Sequence, residues 1–299
     1  MRVTEKTRID MPRARIAELR ARSGKYNEQI VSGRRVNKPS DDPLGALRIG
    51  VLETQKNKVE QFDRNLDRGR AFLGQADTAL SEASSVLNRV RELAIQSANA
   101  SLTQQDANDI AGEITVLRDQ LLALSNTRVG DKPIFGGYLT NVAPYSAAGV
   151  FQGDTNQLTL EVGEQHFVPL TLAGGSAFGD GTAATQDVFT ILANLTAQVQ
   201  VRNVAGFANI EAEIVNLDLA TEQVIEARAQ TGIAMSRFEA AFNVNEFMQE
   251  RVPAYLADIQ DADMTEAIAE LQLTSTALEA TLSATGKVLN GPSLLDYLR

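Results

Sequence analysis

The 299-residue sequence contains no cysteine, no tryptophan and a single histidine, and aromatic residues make up only 5% of it. Without cysteine the chain cannot form a disulfide, a zinc–thiolate site or a cysteine nucleophile. His166 alone cannot supply two histidine ligands, and we interpret it as an exposed or hairpin-face residue. A core of Leu, Val, Ile and Ala suits helix-on-helix packing better than a large pocketed enzyme. We therefore expect no catalytic, cofactor-binding or metal site.

Long hydrophobic runs are also missing. No apolar segment approaches the roughly 18 to 20 residues that span a bilayer, which predicts no membrane insertion. The N-terminal sequence MRVTEKTRIDMPRARIAELR lacks the apolar core and small-residue cleavage site of a secretory signal peptide. The sequence therefore predicts a protein that stays in the cytoplasm or is exported by a pathway that recognises a different signal.

The chain has no overall excess of positive charge, since its formal net charge is −10. The two ends differ, because residues 1–50 hold 12 Lys and Arg against 6 Asp and Glu, whereas residues 250–299 hold 3 against 8. The acidic remainder would repel phosphate, so nucleic-acid binding is not expected. Pairing of the basic and acidic ends is the simpler explanation.

Two long segments carry apolar residues every seven positions, the pattern of helices that pack as a bundle. The first is predicted to run from Pro43 to about Ala100, roughly 87 Å at 1.5 Å per residue. The second follows a predicted break at the sequence NVAG, and Pro253 predicts a kink or stop within it. The second apolar position of each seven-residue repeat is mostly occupied by small residues, which favours close packing of partner helices. The repeating positions are Leu52, Val59, Leu66, Leu73, Leu80, Leu87 and Ala94 in the first segment, and Ile210, Leu217, Val224, Thr231, Phe238, Asn245 and Val252 in the second.

Shorter elements complete the predicted order. Thr103 with Asp106 predicts a capped second helix, and QLTLEV followed by HFVPLTL predicts a β-hairpin. Pro12 suits the first turn of a basic N-terminal helix, and Asp263 with Glu266 predicts the start of an acidic C-terminal helix. The fold class is thus mainly α, an elongated helical bundle with paired terminal helices and a small inserted β module. The predicted domains are 1–42 plus 261–299, 43–144 plus 186–260, and 145–185.

The stretch SGRRVNKPSDDPLGALR (residues 32–48) is the most polar joint in the chain. Asp41 and Asp42 could be paired catalytic carboxylates, but their place before Pro43 at a helix start favours capping. AGGSAFG lacks the spacing of a nucleophile elbow, and Asp258, Asp261 and Asp263 lack the spacing and glycine of a calcium loop. The charged residues are therefore interpreted as structural or partner-facing.

Four segments resemble the flagellin superfamily, and the resemblance covers nearly the whole chain in the correct order. SGRRVNKPSDDPLGA with both Pro39 and Pro43 is similar to the variant found in its hook–filament junction branch. ALSNTRVGDKPIFGGYLTNVAPY (123–145), DIQDADMTEAIAEL (258–271) and the ending PSLLDYLR agree with the superfamily, although Gln260 replaces the usual glutamate. GVFQGDTNQLTLEVGEQHFVPLTL resembles its inserted β module more weakly.

The resemblance implies a flagellin-like fold and a non-enzymatic axial protein, secreted unfolded through the flagellar type III apparatus to the hook–filament junction. It implies self-association in a helical ring, with the first hook-associated protein on the hook side, flagellin on the filament side, and an export chaperone. The expected assembly residues are Ile9, Ile16, Leu19, Tyr26, Ile30, Arg34, Arg35, Asn37, Pro39, Asp41, Asp42, Pro43, Asp261, Asp263, Met264, Ile268, Leu271, Leu278, Leu282, Leu289, Leu294 and Leu295.

Other classes of protein fit parts of the pattern. Flagellin itself is the first alternative, and a coiled-coil secreted effector or adhesin is a weaker one, because it has no reason to carry the four motifs. A chemoreceptor-like signalling hairpin would also be long and helical, but it would normally carry a membrane segment.

Overall fold

The computed structural model describes residues 5–99, 101–172, 174–182, 185–201 and 203–289. The chain divides into two compact units, one containing the residues up to Lys58 together with those from Met248 onward, and the other containing Val59–Phe247. Within the described ranges, no helix is both long enough and apolar enough to cross a membrane.

Helices make up most of both units, in agreement with the predicted fold class. The helices are α1 (Glu5–Ser32), α2 (Pro43–Ser97), α3 (Gln104–Ser125), α4 (Gly174–Phe178), α5 (Val188–Val199), α6 (Val204–Gln260) and α7 (Met264–Leu289). The strands are β1 (Arg128–Val129), β2 (Lys132–Pro133), β3 (Thr159–Gly163) and β4 (His166–Pro169). They form two antiparallel hairpins, β1–β2 and β3–β4. The predicted second helix and the predicted β-hairpin are therefore confirmed.

In the Val59–Phe247 unit, α2 and α6 pack antiparallel through the predicted seven-residue seams. Leu66, Leu73, Leu80 and Leu87 of α2 are almost fully buried, as are Leu217, Val224 and Phe238 of α6. All of them belong to one hydrophobic cluster. Ion pairs at Arg91–Asp218 (2.5 Å) and Arg228–Asp77 (2.7 Å) mark the antiparallel direction. These pairs are half-exposed and therefore add little stability, so the apolar seams hold the helices together.

Two polar residues occupy seam positions of α6, and each of their side chains has a hydrogen-bond partner. The Thr231 hydroxyl donates to the Ala227 carbonyl of the preceding turn at 3.0 Å. The Asn245 amide donates to the Val59 carbonyl of α2 at 3.3 Å. Both side chains are buried, and a buried polar group is tolerated when it finds such a partner. The seven-residue repeat therefore continues through them.

Helix boundaries differ from the prediction at three places. Helix α6 continues past Pro253 to Gln260, so of the predicted kink or stop the stop is excluded. Pro12 lies in the interior of α1 rather than in its first turn, because the helix already begins at Glu5. The break before α6 lies earlier than predicted, because α6 already begins at Val204 within the NVAG sequence. The Asn203 side chain accepts from the Gly206 amide at 2.8 Å and caps this helix start.

Local capping explains the starts of α3 and α5. Thr103 and Asp106 form the predicted capping box at α3, with both reciprocal hydrogen bonds present. The Asp187 carboxylate caps α5 by accepting from the amides of Phe189 and Thr190. Each cap satisfies amide groups that have no partner within the helix.

An aromatic cluster near the β module was not predicted. Phe178 stands edge-on to Phe135, with ring centroids 5.3 Å apart, and Tyr145 packs against Phe151 and Phe189. The buried Tyr145 hydroxyl donates to the Gly179 carbonyl at 2.8 Å. Burial raises the pKa of Tyr145 far above its ordinary value, so the side chain stays neutral at any physiological pH. Five of the sixteen aromatic residues of the chain thus gather in one cluster.

Gly69 of α2 allows a close approach between α2 and α6. A Cβ atom at this position would overlap the ring of Phe238, whereas a Cβ at Gly74 in the same helix meets nothing within 4 Å. Phe238 is fully buried and cannot move aside without opening the core.

We predict opposite effects of alanine at these two glycines. Gly69→Ala should lower the free energy of unfolding by about 1 to 3 kcal/mol through overpacking. Gly74→Ala should leave stability unchanged or raise it by up to about 1 kcal/mol, because alanine favours a helix. Chemical denaturation of the purified chain measures both. Equal effects of the two substitutions would contradict the close-packing role of Gly69.

Candidate assembly interface

The terminal helices α1 and α7 pack together as an antiparallel pair. At one end the Ala262 amide donates to the Gly33 carbonyl at 2.9 Å. At the other end an open groove is lined by Met11, Pro12 and Arg15 of α1 and by small residues of α7 that include Ala280 and Thr281. The C-terminus of α1 therefore lies beside the N-terminus of α7.

The covered faces of both helices follow a heptad spacing of alternating three and four residues. In α1 the buried and half-buried positions of this face are Pro12, Ile16, Leu19, Ser23, Tyr26 and Ile30, and the half-buried Gly33 follows directly after the helix. In α7 they are Ala267, Leu271, Thr274, Leu278, Thr281 and Thr285. Large residues on α1 are thus matched by a face of α7 in which small residues alternate with leucines. The predicted residues Ile16, Leu19, Tyr26 and Ile30 of α1 and two of the predicted leucines of α7 fall on these faces.

The apolar stripe of α7 is wider than the face that α1 covers. Met264, Ile268 and Leu282, which the seven-residue reading places in one seam with Leu271 and Leu278, are exposed to between 41% and 51%. Met264 and Leu282 lie about 60° around the helix from the centre of the covered face, and Ile268 lies about 100° from it. This edge of the α1–α7 pair is therefore an apolar surface without a cover in the described part of the chain.

The joint between α1 and α2 is bonded to the joint between α6 and α7. The amides of Arg35 and Val36 both donate to the Gln260 carbonyl, at 2.7 and 3.4 Å. The Arg35 guanidinium donates to the Ile259 carbonyl at 2.9 Å, and Arg34 pairs with Asp261 in an isolated β-bridge. The break between α1 and α2 therefore lies beside the break between α6 and α7. The two flagellin-like sequence motifs, around Pro39 and around Asp261, meet at this point.

Side chains within the joint mainly satisfy its own backbone. The Asp41 carboxylate accepts from the amides of Asn37 and Lys38, at 3.2 and 2.9 Å. The Asn37 amide group donates to the Arg34 carbonyl, and the buried Gln29 donates to the Arg35 carbonyl. These bonds shape a compact turn in which Arg34 and Pro39 remain exposed.

Asp42 caps the long helix, as the sequence predicts. Its carboxylate accepts from the Gly45 amide at 2.8 Å, its carbonyl accepts from Ala46, and Pro43 occupies the first helical position. A Cβ at Gly45 would press against the Asp42 carboxylate, so glycine leaves room for the cap. The Arg35 guanidinium nitrogen Nη2 lies 3.6 Å from the Asp42 carboxylate oxygen Oδ2.

No ion pair joins α1 to α7 among the residues whose side chains the structure describes, which corrects the simplest interpretation of the sequence for these residues. Among the described residues, ion pairs of α1 run within the helix, at Arg15–Glu18 and Arg22–Glu18, or to the joint, at Lys38–Glu28. The hydrogen bond to Glu28 raises the pKa of Lys38. Apolar and small residues join α1 to α7 instead, and the described cations of α1 lie at its exposed surface.

Some predicted residues lie outside what the structure describes, and some buried ones were missed. Leu294 and Leu295 fall beyond the described residues, as do the side chains of Ile9 and Leu289. The missed residues are Gln29, Val36, Gln260, Ala267 and Thr274, all buried in this unit. A strict heptad register for α7, rather than a search for large apolar residues, would have found Ala267 and Thr274.

Taken together, paired terminal helices, an uncovered apolar edge and a cross-bonded joint define a helical protein built to pack against other helices. The bacterial flagellin N-terminal helical region matches residues 11–140, and the bacterial flagellin C-terminal helical region matches residues 214–298. The two regions together take up well over half of the sequence. The chain belongs to the bacterial flagellin family, and its role is structural.

Similar proteins include two flagellar hook-associated proteins 3. That of Escherichia coli (strain K12) is 25% identical, over 87% of this chain and 88% of its own, and that of Salmonella typhimurium is 24% identical over the whole of both. The flagellin of Bacillus subtilis is 27% identical over 95% of each chain.

A solved structure with the same fold is a putative flagellar hook-associated protein from Vibrio parahaemolyticus, with a TM-score of 0.67 and 20% identity. The match covers 74% of this chain and all of that one. FlgL of Xanthomonas campestris gives a TM-score of 0.63 at 20% identity, covering 69% of this chain and 99% of its own.

The start of α7 generates a prediction about the joint. Asp263 accepts from the amides of Thr265 and Glu266, at 2.8 and 3.1 Å, whereas Asp261 is an exposed residue of the turn. Asp263→Ala should destabilise α7 by about 1 kcal/mol through loss of the cap. Amide hydrogen exchange of α7 should speed up in this variant and stay unchanged in Asp261→Ala. The cap assignment fails if the two variants exchange alike.

Proposed function

We propose that this chain is an axial protein of the bacterial flagellum that joins the hook to the filament. In this proposal copies of the chain form a helical ring. The first hook-associated protein lies on the hook side and flagellin on the filament side. The observation that carries the proposal is end-to-end similarity to hook-associated proteins 3, joined to a fold shared with solved hook-associated proteins.

The α1–α7 pair supplies a surface suited to such an assembly. Met264, Ile268 and Leu282 expose an apolar edge that a single copy leaves in water. Covering this edge with a neighbouring helix would gain roughly 25 cal/mol for each Å² of apolar surface buried. The terminal helices and the joint therefore form the proposed assembly domain, with Arg34 and Pro39 exposed beside it.

The predicted interface residues divide into two groups under this proposal. Leu19, Tyr26, Leu271 and Leu278 hold α1 against α7 and keep the surface in shape. Met264, Ile268, Leu282 and Arg34 meet the neighbouring subunit. We further propose export by the flagellar type III apparatus with a dedicated chaperone, a route that requires no cleavable signal peptide.

Flagellin itself is the second candidate, because the flagellin of Bacillus subtilis is as similar over nearly the same length. The joint favours the junction role, since its two prolines, Pro39 and Pro43, resemble the junction branch. The two candidates differ in what happens to the filament protein when this chain is removed.

Deletion of the encoding gene distinguishes these functions. For a junction protein, electron microscopy should show bare hooks, and the culture medium should contain unassembled flagellin. For a flagellin, the hooks are also bare, but the medium lacks the main filament protein. Normal filaments in the deletion strain would overturn both functions. Restoration by a plasmid copy is the control.

Two leucine variants test the proposed division between a stable middle and an assembling end. Leu80→Ala, at a fully buried position, should lower the free energy of unfolding by about 2 to 5 kcal/mol. Leu271→Ala, at a half-buried position of α7, should leave the main thermal transition of the purified chain nearly unchanged and reduce incorporation into flagella. Calorimetry and immunoblots of isolated flagella measure the two effects. Equal destabilisation by both variants would refute the division.

A further inference from the structure

Helix α6 carries an exposed acidic and apolar row on the side that faces away from its buried seam. The row contains Glu211, Val215, Leu219, Glu222 and Glu226, spaced by three or four residues, so that they lie within about 100° of one another. Val215 is 60% exposed and Leu219 is 45% exposed. The neighbouring Arg91 does not offset this charge, because it is bound to Asp218.

Helix α2 carries an exposed basic and apolar row near its N-terminus. Leu44, Leu47 and Val51 are 60% to 71% exposed, beside rather than on the buried face of the helix. Arg48 and Lys58 are exposed in the same row, and the row contains no acidic residue. It begins immediately after Pro43 and is therefore continuous with the joint already proposed as part of the assembly surface.

The two rows have nearly equal length, 44–58 against 211–226, similar apolar content and opposite charge. Like-charged rows would repel, whereas these unlike rows attract and bury apolar surface together. We propose that the 44–58 row of one copy docks on the 211–226 row of a second copy of this chain. The inference rests on the proposed function, because it specifies how the copies in the ring contact one another.

The contact has a consequence for the form of the assembly. It joins two different surfaces, so each copy keeps one free row of each kind after binding a neighbour. Such heterologous contacts generate rings or open helical arrays rather than closed two-fold dimers. The contact should also weaken as ionic strength rises, because its charges are solvent-exposed.

The absence of native cysteine makes the contact directly testable by cross-linking. A strain lacking the native gene would co-express a Val51→Cys protein and a Leu219→Cys protein, and isolated flagella would be treated with a short bismaleimide. We expect a cross-linked dimer of the 32.3 kDa chain. The matched control replaces Leu219→Cys by Val244→Cys, an exposed position of the same helix beyond the acidic row. Neither this pair nor Val51→Cys alone should cross-link.

Charge exchange supplies a second measurement. Arg48→Glu in the Val51→Cys protein should lower the dimer yield about threefold, the size expected for exposed charge pairs. Glu222→Arg in the Leu219→Cys protein should restore the yield.

Three outcomes would overturn the inference: no dimer although immunoblots show the chain in flagella, equal cross-linking at Val244→Cys, or no response to either charge change. The first of these leaves the junction function standing. Absence of the wild-type chain from flagella would instead refute the proposed function, and the inference with it.

Discussion

Close packing of α2 against α6 is the interaction on which the rest of the structure depends. Leucines such as Leu66 and Leu80 fill the space between the two helices, while alanines and Gly69 set a short distance between them. Both helices then present fixed rows of side chains to the elements around them. The α3 helix, the β module and the aromatic cluster add to the same core.

The cross-bonded joint has a different physical task from the seams. Backbone bonds between Arg35 and Gln260, and between Ala262 and Gly33, hold two chain segments together at the level where both leave helical structure. Such bonds do not depend on side-chain identity, so they fix position, whereas Arg34 and Pro39 stay exposed. The joint thus keeps α1 and α7 in register and leaves polar and apolar surface for neighbours.

Sequence reasoning located the candidate interface but did not sort its residues. A seven-residue spacing placed Met264, Leu271 and Leu278 in one seam, because all three are large and apolar. In the structure the covered face of α7 centres on Ala267 and Thr274, and Met264 is left exposed. The sorting depends on the rotation of one helix against its partner. A stripe wider than one contact face leaves that rotation undetermined.

The sequence by itself determined the helical periods, most caps and the order of the elements. These follow from interactions within a few residues, as at Thr103 with Asp106, and from a repeat that any packed helix must satisfy. Only the tertiary structure decided that α6 passes through Pro253, that Tyr145 donates to Gly179, and that Arg35 meets Gln260. Tyr145 and Gly179 are 34 positions apart in the sequence, and Arg35 and Gln260 are more than 200 positions apart. At Pro253 a local preference against helix is weighed against packing along the whole of α6. None of these outcomes can be read from a local pattern, because the energy that settles them is contributed by distant parts of the chain.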